Sequence, residues 1–380
     1  MSEIKRTIYV DHAATTRLSD NALAAMRPYL ENLYYNPSTL YSSARKPRNA
    51  VKAARYEVAN LIGANSNEIY FTAGGTESDN WAVKNVLFSC NQQKKKIVTS
   101  QIEHHAILNS CKVMEKLGYE VIYLPVDKFG NVQPDILERE VDENTAIVSI
   151  MYANNEIGTI QNIADLAEIS HRNGALFHTD AVQAVGHIDI DLRKINVDFL
   201  SASAHKFNGP KGVGFLFVRQ GIELSSLITG GSQENGKRAG TENVAGIVGM
   251  STALRENVEK MEDNAIYLKN LSQYFVEKLR ATGINFIING SCNRVPGNLS
   301  VSFLNADGEM ILHRLDLKGI EVATGSACDS VERQISHVIK AIAIPENYAR
   351  GTIRFSFGMD NTENDVLVIV KELEKILEKQ

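Results

Sequence analysis

Ser201-Ala202-Ser203-Ala204-His205-Lys206-Phe207-Asn208-Gly209-Pro210-Lys211-Gly212-Val213-Gly214 is a polar, glycine-studded turn held between two apolar runs. Val197 to Leu200 predicts a short buried strand before it, and Val213 to Val218 predicts another after it. Lys206 therefore falls where a strand gives way to a tight turn. An amine that condenses with an aldehyde must be partly desolvated, which frees its lone pair, and must be held on rigid elements. A solvated loop lysine is the plain alternative, and this stretch alone leaves the two readings even.

Outward from that turn the chain alternates. Thr7 to Val10 predicts a strand running into Asp11-His12-Ala13-Ala14-Thr15-Thr16, followed by helices over Asp20 to Tyr29 and Ala44 to Ile62, with Gly63 as the stop. Glu68 to Thr72 predicts a strand, Ala73-Gly74-Gly75-Thr76-Glu77-Ser78 a turn, and Ser78 to Phe88 a helix. Glycines at a helix start leave unpaired N–H groups open to an anion, and Thr76 adds a hydroxyl, so a phosphate is the natural guest. Strands over Lys96 to Thr99, Glu120 to Leu124, Ala146 to Met151 and Leu176 to Thr179 then alternate with helices over His104 to Leu117, Pro134 to Glu140 and Ile163 to Asn173. Such alternation argues an α/β fold with a mostly parallel sheet and helices on both faces, in which ligands collect at the carboxyl ends of the strands. Asn154-Asn155-Glu156, Asp180 and Lys206 all fall at such ends.

Helical periodicity runs from about Val244 to Leu279, and the change of domain is expected within it. Residues 15–255 then form a large domain, and residues 1–14 with 256–380 a smaller α+β domain. In the latter, strands are predicted over Asn298 to Leu304, Ile320 to Ala323 and Thr352 to Phe357. Helices are predicted over Glu309 to Leu317, Ser336 to Ala343 and Glu363 to Glu378, the last capped by Thr362.

With 380 residues, 44% hydrophobic, 22% charged and a net charge of -5, the composition is that of a soluble globular protein. Basic residues are dispersed, which argues against nucleic acid as a direct partner, and no apolar run is long enough to cross a membrane. Met1 to Val10 lacks the apolar core of a signal peptide, so a cytoplasmic protein is expected. The cysteines Cys90, Cys111, Cys292 and Cys328 show no C-x-x-C spacing, so no metal site is expected. Cys328 differs from the other three in lying within a small polar loop, Thr324-Gly325-Ser326-Ala327-Cys328-Asp329-Ser330.

An aspartate, a lysine and a phosphate-ready turn are the parts that pyridoxal 5'-phosphate needs for its ring nitrogen, aldehyde and phosphate. The order of motifs makes the chain resemble the NifS/IscS-like cysteine desulfurases, in the class V aminotransferase branch of the fold type I pyridoxal phosphate enzymes. The matches include Tyr9-Val10-Asp11-His12-Ala13-Ala14-Thr15-Thr16, Phe71-Thr72-Ala73-Gly74-Gly75-Thr76-Glu77-Ser78 and Glu103-His104-His105. They continue through Ala153-Asn154-Asn155-Glu156-Ile157-Gly158, His178-Thr179-Asp180-Ala181-Val182-Gln183, the Lys206 turn, Arg238-Ala239-Gly240-Thr241-Glu242-Asn243 and Gly351-Thr352-Ile353-Arg354-Phe355-Ser356.

The resemblance implies that Lys206 carries the cofactor, Asp180 pairs with the pyridine nitrogen, and His104 stacks on the ring and assists proton transfer. It implies that Gln183 and Asn155 lie about the ring oxygen. Gly75, Thr76, Ser203 and His205 would bind the phosphate, with Thr241 supplied by the other subunit of a homodimer. Arg354, helped by Asn36 and Asn155, would hold the carboxylate of L-cysteine, and Cys328 would take its sulfur as a persulfide for a protein acceptor. His178 and His12 are read as structural. Two further readings stay open: another pyridoxal phosphate reaction on the same fold, such as selenocysteine lysis, β-lysis or transamination, and a sulfur-transfer scaffold of low turnover. The resemblance also has a local departure. Asp329 follows Cys328 and disfavours a thiolate by charge, and Val331 stands where the family often has glycine, limiting the loop's conformations.

Overall fold

The computed structural model describes residues 7–88, 93–325 and 335–378. Twelve strands occur among them: β1 (Ile8–Tyr9), β2 (Ile69–Thr72), β3 (Lys96–Ser100), β4 (Glu120–Leu124), β5 (Thr145–Ser149), β6 (Leu176–Asp180), β7 (Phe199–Ser203), β8 (Gly214–Val218), β9 (Phe286–Asn289), β10 (Asn298–Phe303), β11 (Ile320–Glu321) and β12 (Thr352–Ser356). Seven form one sheet in the order β2-β8-β7-β6-β5-β3-β4. Only β8 runs against the others, pairing antiparallel with both β7 and β2. The short Lys206 turn joins β7 directly to β8, with no room for a crossover helix, so the two strands must run in opposite directions. β3, β5, β7 and β8 are buried along their whole length, which is why they read as short apolar runs rather than alternating ones.

Two boundaries beside the cavity differ from expectation. The strand predicted over Val197 to Leu200 lies at Phe199–Ser203, so Ser201 and Ser203 are strand residues; Ser201 sits beside Asp180 in the neighbouring strand. The helix predicted from Ser78 begins a turn earlier and spans Gly75–Asn85. Gly74, at φ 146°, makes the break from β2 that places it there. That helix lies over β6, β7 and β8.

The periodicity of 244–279 resolves into two helices, Val244–Glu259 and Met261–Ala281, meeting at Lys260. Ile247, Met250, Ala253 and Leu254 of the first pack into the core around the large sheet. Leu268, Leu271, Phe275 and Leu279 of the second pack into a separate core with β10, β12 and helix Glu363–Leu377. Thr362 caps that last helix, accepting from the Asp365 N–H while the Asp365 carboxylate accepts from the Thr362 N–H. β9, three apolar residues and Asn289 with no alternation to read, completes the antiparallel sheet β12-β10-β9. The N-terminal β1 pairs in parallel with β11 and carries Val10 into this second core. The chain's two ends therefore meet beside the carboxyl ends of the large sheet, where the Asp11 backbone bridges to Ser356. No helix among the described residues is long and apolar enough to cross a membrane.

Candidate active site

A cavity of about 320 Å³ opens at the carboxyl ends of β5, β6 and β7, bounded on one side by β12 and the segment after β1. Lys206, Asp180, Gln183, His104, Gly75, Thr76, Asn155, Ser203, His205 and Arg354 all line it. Lys206 follows β7 in a single 3-10 turn, and its Nζ donates to the carbonyls of Ala13 and Ala14 at 2.8 and 2.7 Å. Gln183 Nε2 donates to the same Ala13 carbonyl at 3.0 Å. The Asp11-to-Thr16 turn thus aims the amine, and His187 Nε2, 2.9 Å from the Lys206 carbonyl, holds the lysine backbone from behind.

Asp180 ends β6, where its Oδ1 accepts from the Val182 N–H at 3.0 Å. Burial raises its pKa above the ordinary carboxyl value, opposed by His104, the Val182 N–H and Lys206. A cation at this spot would relieve the desolvation. His104 is the N-cap of helix His105–Lys116, and its Nδ1 accepts from the Ala106 N–H at 3.1 Å. An accepting Nδ1 carries no proton, so the neutral ring bears its proton on Nε2. Burial lowers the His104 pKa, against the pull of Asp180, so the neutral form is favoured.

The opposite end of the cavity is a cradle. A Cβ added to Gly75 would come within 2.4 Å of Val182 Cγ2, so glycine lets the helix start pack against the segment that follows β6; Ser203 Cβ of β7 lies at an ordinary contact distance of 3.6 Å. Gly75, Thr76, Ser203 and His205 also face a more open cavity shared with Lys84 and Lys211, which makes this end electropositive. His205 Nδ1 bonds Thr15 Oγ1 at 3.1 Å, and burial beside Lys206 and Lys211 lowers its pKa to about 4. It therefore serves as a neutral hydrogen-bonding group there.

Arg354 enters from β12, 7% exposed. Its Nη2 donates to Asp11 Oδ1 at 2.5 Å and its Nη1 to the Asn155 carbonyl at 3.0 Å, while Nε is buried without a hydrogen bond. A guanidinium held on two sides with a donor to spare can receive a small carboxylate.

Two expected residues lie elsewhere. Asn36 does not line the cavity; its Oδ1 accepts from the Ser38 N–H within its own turn. Thr241 is exposed and does not line the cavity either. Its loop is tied to the cradle from outside by Arg238, which grips Glu77 through Nε and Nη2 at 2.9 and 3.1 Å. Cys328, with Asp329 and Val331, lies outside the described residues. Ser336 Oγ donates to Glu156 Oε2 at 2.6 Å, and a Cβ on Gly325 would come within 2.4 Å of the same oxygen.

The sequence assigns no role to Asp11 or Asp79, places Glu156 only among the polar residues at a strand end, and offers Glu103 only as the neighbour of His104. Asp79 had a visible signal: an acidic residue one helical turn after Gly75 on the face that must meet the sheet. Glu103, 0% exposed, accepts on Oε1 from Ser100 Oγ at 2.6 Å and from the Met151 N–H at 2.9 Å, and burial pushes its pKa up to about 8. Taken together, the amine, the buried carboxylate, the cradle and the guanidinium can hold a phosphorylated aromatic aldehyde with a protonated ring nitrogen, beside a small amino acid.

Comparison with known proteins gives the same picture. Residues 8–369 match the family model for aminotransferase class-V. The cysteine desulfurase IscS of Dictyoglomus turgidum is 48% identical over 377 residues, covering 99% of this chain and 96% of that protein. The cysteine desulfurase IscS of Methanosarcina thermophila is 43% identical over 379 residues, covering 100% of this chain and 94% of its own. Among solved structures, a NifS-like protein superposes with a TM-score of 0.93 at 38% identity over 99% of this chain and 100% of its own. SspA in complex with cysteine superposes with a TM-score of 0.82 at 34% identity over 93% of this chain and 99% of its own.

Proposed function

The chain belongs to the class V aminotransferases and, within them, to the pyridoxal 5'-phosphate-dependent cysteine desulfurases, and on that premise we propose which of its residues carry the reaction and where the sulfur goes. The observation that carries the reading is the single cavity in which Lys206, Asp180, His104 and Arg354 converge from four separate parts of the chain. When bound, the cofactor supplies an electron sink for the bonds about the substrate's α- and β-carbons.

Lys206 Nζ would hold the cofactor through its aldehyde and, when free, would serve as the base for the substrate's α-proton. Asp180 would pair with the ring nitrogen and keep it protonated. The Gly75–Thr76 N–H groups, Ser203 and His205 would hold the phosphate. Gln183 and Asn155 would serve the ring oxygen. His104 would lie against the ring with its Nε2 proton available. Arg354, already oriented by Asp11 and the Asn155 carbonyl, takes the substrate carboxylate. Cys328 supplies the thiolate that attacks the sulfur of L-cysteine. The S–S bond forms as the Cβ–S bond breaks, Cβ takes a proton, and alanine leaves.

The exposed Thr241 is supplied to the cradle of a second copy in a homodimer. Leu30, Tyr34, Leu40, Tyr41 and Tyr56, all exposed, are the kind of apolar surface a second copy would cover. The persulfide on Cys328 passes to a protein acceptor serving iron-sulfur cluster assembly or thiolation of tRNA or DNA. A reducing, cytoplasmic setting suits such a carrier.

The test is turnover of L-cysteine by the cofactor-loaded protein with a thiol reductant. Sulfide and alanine are expected in equal amounts. Cys328→Ala should abolish both while the cofactor's visible absorbance persists. Sulfide release undiminished in that variant would refute the assignment of Cys328 and favour another lyase reaction on this fold.

A further inference from the structure

Helix Gly75–Asn85 carries one buried carboxyl group that the chemistry above does not use. Asp79, 1% exposed, follows Gly75 by one helical turn and so lies on the face that packs on the sheet. It meets a layer of buried polar side chains there. Ser149 pairs with His178 across β5 and β6, and Asp180 with Ser201 across β6 and β7. His178 Nδ1 lies 2.8 Å from Ser149 Oγ, and its Nε2 lies 2.9 Å from Ser201 Oγ. Asp79 Oδ1 is buried without a hydrogen bond and lies 3.6 Å from His178 Nε2. Side-chain polar atoms of Asp79, Asp180 and His104 lie within 4.8 Å of one another.

Two carboxylates this close in a dry layer do not both ionise. Asp180 has the Val182 N–H, with His104 and Lys206 beside it. Asp79 has no lysine or arginine at ion-pair distance among the described residues. His178 behind it is kept neutral by burial, and Glu103, the other carboxyl in this neighbourhood, is buried too. The negative charge therefore settles on Asp180 and the proton on Asp79.

We infer that Asp79 is a positioning residue for Asp180: a neutral carboxylic acid packed beside His178 that fills the layer beneath Asp180 without a competing charge, leaving Asp180 as the one anion offered to the cofactor's ring nitrogen. This rests on the pyridoxal phosphate reading of the cavity.

The test is spectroscopic and uses the cofactor-loaded protein. With carbon-13-labelled aspartate, the infrared carbonyl stretch of a protonated aspartic acid should be present at neutral pH and should disappear in Asp79→Asn. Its absence from the unsubstituted protein overturns the inference without any variant having to fold. Cofactor affinity of the apoprotein supplies the second readout. Asp79→Ala, which leaves a void under Asp180, should weaken binding about tenfold or more, whereas the neutral, isosteric Asp79→Asn should stay within about threefold. Asn as damaging as Ala, or Ala as tight as the unsubstituted protein, also overturns it. A protein that binds the cofactor yet releases no sulfide from cysteine would instead defeat the desulfurase reading and leave this one standing.

Discussion

Glu103→Gln should make the protein progressively more stable, relative to the unsubstituted chain, as the pH is raised from 5 to 8. Glu103 is 0% exposed, has two donors on Oε1, and has no hydrogen bond on Oε2. Burial raises its pKa from the ordinary 4.5 to about 8. Between those values the unfolded chain releases this proton and the folded chain keeps it, so stability falls as the pH rises. The slope is about 1.4 kcal/mol per pH unit, and the loss amounts to a few kcal/mol by the time the folded group itself ionises. Glutamine keeps the Oε1 acceptor for Ser100 and Met151 and cannot titrate. The remaining titrating groups, including Asp79, Asp180, His104 and His178, are common to both proteins and largely cancel in the difference. Urea midpoints of the two cofactor-loaded proteins at half-unit intervals would measure it. The variant's advantage should grow from pH 5 to 8 and level off above that. A difference that stays flat across this window would mean that Glu103 is ionised in the folded protein, and the burial argument would fail.

Gly75→Ala should weaken cofactor binding by a factor of about ten or more, because its Cβ would come within 2.4 Å of Val182 Cγ2; Val182→Ala in the same chain should restore much of it, as read by visible absorbance on titration of the apoprotein. Arg354→Lys should raise KM for L-cysteine about tenfold with a smaller change in kcat, since an ammonium cannot keep Asp11 and the Asn155 carbonyl while receiving a carboxylate in a fork; equal losses in both constants would point to a role beyond binding. Lys206→Ala should abolish the visible band of the bound cofactor and all turnover, and persistence of either would remove the lysine from its proposed role.

Much of this was legible because each local signal has a local cause. Lys206, Asp180 and Asn155 could be placed at strand ends because buried parallel strands are short apolar runs and the residues that end them are polar. Gly74 and Gly75 marked the cradle because a close helix start excludes a Cβ. Reading went astray where polar residues serve the interior. Ser201 and Ser203 lie within β7 because their partners across the sheet and in the helix are polar as well, and an apolar pattern stops short of them. β9 is not legible because three apolar residues followed by Asn289 declare no period.

The sequence by itself determined the order of the elements other than β9, the strand-end places of Lys206 and Asp180, and the glycine turn, since each is fixed by residues within a few positions of one another. Only the tertiary structure decided that Arg354 is aimed by Asp11, 343 residues away along the chain, and that Asp79 sits under Asp180. It also decided that Asn36 and Thr241 lie outside this chain's own cavity. The reason is physical: a sequence pattern reports which face of an element is buried, whereas charge pairing in a dry layer depends on what another element brings to that face, which is settled only when the two cores close on each other.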